Sequence, residues 1–177
     1  MKKKAVFISF AFFIAQVAFS LPSGVGKVRL GMDVEGVKSA LKSDGQFGYR
    51  GDRDVSISPQ DKETVIETDP TMSPAFSFFE RCWFQFSNGN LSVMTLKLNS
   101  DKIDHYSIFS TLCEKYGAPN ELSPKKSVWK NDSVILSLEK PLTLRYVDAK
   151  AFNDKKDSSR VEKTTSEKAR DEFLKGL

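Results

Sequence analysis

Between Phe78 and Leu98 two runs of alternating apolar and polar residues meet at Asn88-Gly89, and no other stretch of the chain limits its fold as tightly. Alternation with period two describes strands that bury one face, and Asn-Gly accepts the positive φ angles that a tight hairpin turn demands. Cys82, Phe84 and Phe86 share one face of the first strand. A two-residue loop sets them opposite Thr95, Val93 and Leu91, whereas a three-residue loop sets them opposite Leu96, Met94 and Ser92. The alternation of Met94, Leu96 and Leu98 favours the longer loop. In either register the face carrying Cys82 faces the core.

Upstream, Val34, Val37, Ala40 and Leu41 are spaced for one face of a helix capped by Asp33, weakened at Gly36 and ended by Gly45. Tyr49 to Ser58 and Thr64 to Thr68 read as short strands. Downstream, Asp104 to Tyr116 reads as a second helix, with Phe109, Leu112, Cys113 and Tyr116 in one stripe and Gly117-Ala118-Pro119 stopping it. Three strands then meander through Ser127 to Lys130, Val134 to Leu138 and Leu142 to Tyr146. The class is α+β, with antiparallel sheets and helices packed on one face. It is expected as two helix-plus-strands modules, residues 21–101 and 102–152, whose sheets are shared or abut. From Ala151 to Thr164 charges mix without apolar period, so residues 153–177 are expected as a charged linker and a short terminal helix. Thr164 and Glu167 form its capping box. Its stripe of Ala169, Phe173 and Leu177 is the expected docking element for a partner.

The run Val28-x-x-Gly31-Met32-x-x-x-x-Val37-x-x-x-Leu41 resembles the opening of small envelope proteins of the BamE/OmlA (SmpA) type. In those proteins a Gly-Met turn starts a helix and an antiparallel hairpin follows. The resemblance covers the first half of the chain. It implies scaffolding or inhibition by surface contact in the cell envelope. The lipid-bearing cysteine of the BamE proteins is absent, and Lys42-Ser43-Asp44-Gly45 replaces the Gly-x-Pro that closes their helix.

Residues 1–20 read as an export signal. Lys2, Lys3 and Lys4 precede a fifteen-residue apolar run, Ala5 to Phe19, too short for the roughly 20 residues of a membrane span. Ala18-Phe19-Ser20 offers small residues for cleavage after Ser20. The product is expected in the periplasm or secreted, with no membrane insertion. Of the 27 Lys and Arg, three leave with the signal, so 24 basic residues face 23 acidic ones. A nucleic-acid binder needs a basic patch that such a balance does not supply.

The inventory of chemistry is short. His105, the one histidine, lies eight residues from Cys113, about 12 Å along a common helix, too far for a thiolate-imidazole pair. Cys82, Cys113 and His105 lack the paired spacing of zinc sites. Gly24-x-Gly26 has no third glycine for a dinucleotide, and no Gly-Lys-Ser/Thr marks a phosphate loop. No catalytic residue, metal or cofactor is therefore expected.

Cys82 and Cys113 are expected as one disulfide, because the compartment oxidises, the count is even and each thiol lies on an apolar face. Such a bond would contribute roughly 3 to 4 kcal/mol. The alternative is two buried free thiols. Arg50-Gly51-Asp52 is the tripeptide integrins read, and equally what a turn needs. Phe76, Phe78, Phe79 and Trp83 crowd one stretch, either as an exposed anchor or as core. The expected function is non-enzymatic contact with another envelope protein. A secreted inhibitor or host-binding ligand using the Arg50-Gly51-Asp52 turn, and a Cys-dependent enzyme, are the alternatives.

Overall fold

The computed structural model describes residues 20–58, 63–73 and 76–176. The apolar run of the signal lies outside them, as does Leu177. Ten strands and three α-helices follow one another: β1 (Gly24–Val25), β2 (Val28–Arg29), α1 (Val34–Lys42), β3 (Val55–Ile57), β4 (Thr64–Thr68), β5 (Phe79–Ser87), β6 (Asn90–Leu98), α2 (His105–Tyr116), β7 (Glu121–Leu122), β8 (Lys126–Lys130), β9 (Val134–Glu139), β10 (Thr143–Asp148) and α3 (Ala149–Lys175). Short 3-10 turns at Gly45–Phe47, Asp52–Asp54 and Pro70–Met72 complete the described elements. The fold is α+β. β1 and β2 form a small hairpin, and the other eight strands form one antiparallel sheet in the order β3-β4-β5-β6-β10-β9-β8-β7. Pairing of β6 with β10 joins the strands of residues 21–101 to those of residues 102–152 without a break.

The β5–β6 hairpin resolves its two registers by using both. Ser87 pairs with Asn90 and Phe86 with Leu91 around a two-residue turn, where Asn88 has φ 52° and Gly89 φ 79°. The register then shifts between Gln85 and Phe86, so that Phe84 meets Met94 and Cys82 meets Leu96. The extra residue is Ser92, whose hydroxyl donates to the Gln85 carbonyl at 3.1 Å. Such a β-bulge lets a short turn coexist with an unbroken apolar face.

That face is continuous across the sheet. Val55, Ile66, Phe84, Met94, Tyr146, Leu136 and Trp129 are successive cross-strand partners, one from each of seven strands. Helix α1 covers it beside β6 with Val37, Ala40 and Leu41, all buried. The Asp33 carboxylate caps α1 by accepting from the Gly36 amide at 2.8 Å. Gly31, at φ 84°, turns the chain into that cap, and the turn is tied to the hairpin by Gly31 N–H to Leu91 O and Leu91 N–H to Met32 O, both 2.8 Å. Helix α2 covers it beside β8, with Leu112 buried and the Phe109 ring 6.0 Å from that of Trp129.

Two expectations need correction. Tyr49 to Asp54 is not strand: only Val55–Ile57 pairs with β4, and the preceding residues turn around the Asp54 carboxylate, which accepts from the Arg50 backbone amide at 2.7 Å. Residues 153–177 are not a linker followed by a separate helix, since α3 runs unbroken from Ala149 to Lys175. It starts at Asp148, whose carboxylate accepts from the amides of Lys150 (2.9 Å) and Ala151 (3.0 Å), and not at Thr164. A helix needs a nucleus and no breaker more than it needs an apolar stripe, and no Gly or Pro occurs between Ala149 and Lys175. Asp148→Ala is accordingly expected to cost about 1 kcal/mol and to lower the far-ultraviolet helix signal. An unchanged spectrum would show that α3 does not depend on this cap.

Candidate functional site

Because α1 and α2 cover the same face, side chains that alternate with the core line an opposite face with little cover. Its central row runs Glu67, Trp83, Thr95, Arg145, Ser137 and Val128, again successive cross-strand partners, of which Ser137 and Val128 are buried and the first four form the open part of the face. Trp83 stands half-buried in this row. Arg81 lies beside it and reaches Glu67 at 3.0 Å and Asp69 at 3.5 Å. Lys97 pairs with Glu80 at 2.6 Å, and the Arg145 Nε donates to the Thr95 hydroxyl at 3.3 Å. The Thr71 hydroxyl donates to Asp69 and, with Arg81, holds that carboxyl below the usual range. The result is an aromatic residue ringed by fixed charge pairs. Trp and Arg are the residues that most often anchor protein contacts, and paired charges at a rim select register more than they add affinity.

Two features bound this face. At one end α3 leaves β10 and its first turns pack beside it, with Ala151, Phe152 and Lys155 facing Val65, Val93 and Val147 across a pocket of about 250 Å³. Lys155 reaches Glu63 at 3.2 Å. At the other end Ser77 is buried, donating to the Gln46 carbonyl at 2.7 Å and accepting from the Phe79 amide at 2.9 Å. Pinning Ser77 inward turns its neighbours outward. Phe76 and Phe78 stack edge to face at 5.1 Å on the surface, and the Lys102 ammonium sits 4.7 Å from the Phe76 ring centre. The aromatic stretch is thus divided: Phe79 is core, Phe76 and Phe78 are exposed, and Trp83 belongs to the sheet face.

The cysteines are free thiols, and the expected Cys82–Cys113 disulfide is absent. Cys82 lies on β5, while α2 is seated over β8 through Phe109 and Trp129, four strands away. At about 4.8 Å per strand that separation is roughly 19 Å, several times disulfide reach. Both thiols do lie on apolar faces, but one belongs to β5 and the other to the helix seated over β8. Burial pushes the Cys82 thiol up to about 12, which disfavours the nucleophilic thiolate. Native protein is therefore expected to keep Cys82 unmodified by a mild alkylator at pH 8, and unfolding without reductant to release two reactive thiols. A mass lower by two hydrogens would contradict this.

The Arg50-Gly51-Asp52 turn is engaged within the fold. The Arg50 guanidinium grips the buried Asp54 carboxylate through Nε (3.0 Å) and Nη2 (2.7 Å), and Asp52 lies 3.4 Å from the Lys38 ammonium. His105 opens α2 and belongs to no metal-binding group among the described residues. Of the terminal stripe, Ala169 and Phe173 are exposed, and Leu177 lies outside the described residues. No described helix is long and apolar enough to cross a membrane.

A family model described as the TP0088 domain matches residues 23–158. The chain belongs to the TP0088 domain family. The TP0088 domain so matched runs from β1 through the whole eight-stranded sheet into the first turns of α3, so both halves of the sheet and the helix bordering its uncovered face lie within one family unit. No curated protein and no solved structure matches the chain. The sheet face was hidden in the sequence, because Trp83, Thr95 and Arg145 are far apart along the chain and only the β6–β10 pairing brings them together.

Proposed function

We propose that the protein is an exported, non-enzymatic module of the cell envelope that works by holding another envelope protein across the uncovered face of its sheet. The observation that carries this reading is the placement of both covering helices on one face, which leaves Trp83, Arg81, Lys97 and Arg145 displayed on the other. The sequence supports export through its N-terminal signal and a place in the periplasm or outside the cell. The Gly31-Met32 turn and its hairpin support the BamE-like manner of acting by surface contact. The exposed Phe173, with Ala169 on the same helix, supplies a second grip on the partner. The partner it fits presents apolar side chains to Trp83 and mixed charge to the surrounding pairs.

The test is cross-linking of the tagged protein in its own cells, with the attached protein identified. The wild type is compared with a Thr95→Arg, Arg145→Glu variant that crowds and recharges the face. Loss of one defined partner, at unchanged melting temperature and secretion, is expected. Retention of that partner would place the contact elsewhere.

A further inference from the structure

A second row of the core face runs Thr68, Cys82, Leu96, Leu144, Leu138, Ser127 and Leu122, and at its last two positions the packing changes. Ser127 stands where its row-mates are mostly large and apolar, and Leu122, on the outermost strand β7, is 70% exposed. The missing volume appears as a groove of about 530 Å³ between the start of α2 and the β7–β8 hairpin. That size lies within the range of ligand pockets, about 300 to 1,000 Å³.

The lining divides by chemistry. Tyr106 and Phe109 form the wall on α2, and Leu122 and Pro124 form the wall on the hairpin. Tyr106 is 75% exposed, so two large apolar side chains face this groove largely uncovered. Ser127 lines the groove, and its hydroxyl makes no hydrogen bond among the described residues. His105 and Lys140 stand at the groove, and neither side chain has a hydrogen-bond or carboxylate partner among the described residues. The acids nearby are occupied: Asp104 accepts from the Ser107 amide and hydroxyl, and Glu139 pairs with Lys126 at 3.2 Å.

Apolar walls and an unpaired ammonium beside an imidazole fit an amphipathic anion. We infer that this groove binds an aliphatic carboxylate, its alkyl chain between the Tyr106–Phe109 and Leu122–Pro124 walls and its carboxylate at Lys140 and His105. The Ser127 hydroxyl supplies a further hydrogen bond. The site lies on the helix-covered side of the sheet, apart from the face assigned to the protein partner, so either assignment can fail without the other.

Calorimetric titration of the full mature protein with decanoate tests the inference, with decanol and acetate as the uncharged and chainless controls. Decanoate is expected to bind one site at least tenfold more tightly than either control. Lys140→Ala, a change at an exposed side chain, is expected to weaken decanoate binding at least tenfold and leave decanol unchanged. Ser127→Leu, which fills the groove, is expected to abolish both; its melting temperature reports whether it folds, and Leu122→Asp closes the apolar wall independently. Absence of decanoate binding to the wild type, equal binding of decanol, or indifference to Lys140→Ala would overturn the inference. So would an extended peptide with a free apolar C-terminus displacing decanoate at a lower concentration than decanoate itself requires, which would reassign the groove to a peptide end.

Discussion

Replacing Trp129 by alanine is expected to destabilise the protein by about 3 to 5 kcal/mol, the range for deleting a large aromatic from a packed core. For a chain of this size that corresponds to a fall in melting temperature on the order of 10 °C. Trp129 is 1% exposed, ends the seven-strand core row and packs against Phe109. Its indole Nε1–H also donates to the Gly117 carbonyl at 2.9 Å, fixing the C-terminal end of α2. The substitution removes the ring and the hydrogen bond together, leaving a cavity and a carbonyl without its donor. Thermal unfolding followed by circular dichroism measures the loss. A fall of only a degree or two would mean that α2 is held by something other than this residue.

The chain's other tryptophan is expected to behave oppositely. Trp83→Ala should weaken binding of the proposed partner by about 30-fold or more, the size of a contact hot spot of at least 2 kcal/mol, while stability falls by only about 1 kcal/mol. The contrast follows from which way each side chain points from one sheet. Trp129 faces the helices, and Trp83 shares the opposite face with Thr95 and Arg145. Equal affinities of wild type and variant, measured with the purified partner by surface binding, would remove Trp83 from the contact.

How much of this was legible in the sequence depends on the range of each interaction. The hairpin, the cap of α1 and the meander were readable because alternation, Asp33 and Asn88-Gly89 act within a few residues. The bulge at Ser92 was not, because neither loop length alone satisfies both the turn and the row of Met94, Leu96 and Leu98. The union of the two halves in one sheet rests on β6 pairing with β10, and alternation says which face a strand buries but not which strand lies beside it. The disulfide failed for the same reason: two thiols on apolar faces of their own elements can belong to elements that meet different strands of the sheet. Between Ala151 and Thr164 the missing apolar period reads as a linker, although a capped helix without breakers also satisfies that pattern. The site suffered most, since its residues come from β5, β6 and β10 and no local motif marks them.

The central claim is that the face of the sheet away from α1 and α2 is the surface that meets a partner. Placing a photoreactive amino acid singly at Trp83, Thr95 and Arg145, and at Glu114 on exposed α2 as the control, and irradiating living cells tests it most directly. The account predicts one common cross-linked protein from the three sheet positions and none from Glu114. The same protein captured from Glu114, with the three sheet positions silent, would contradict it.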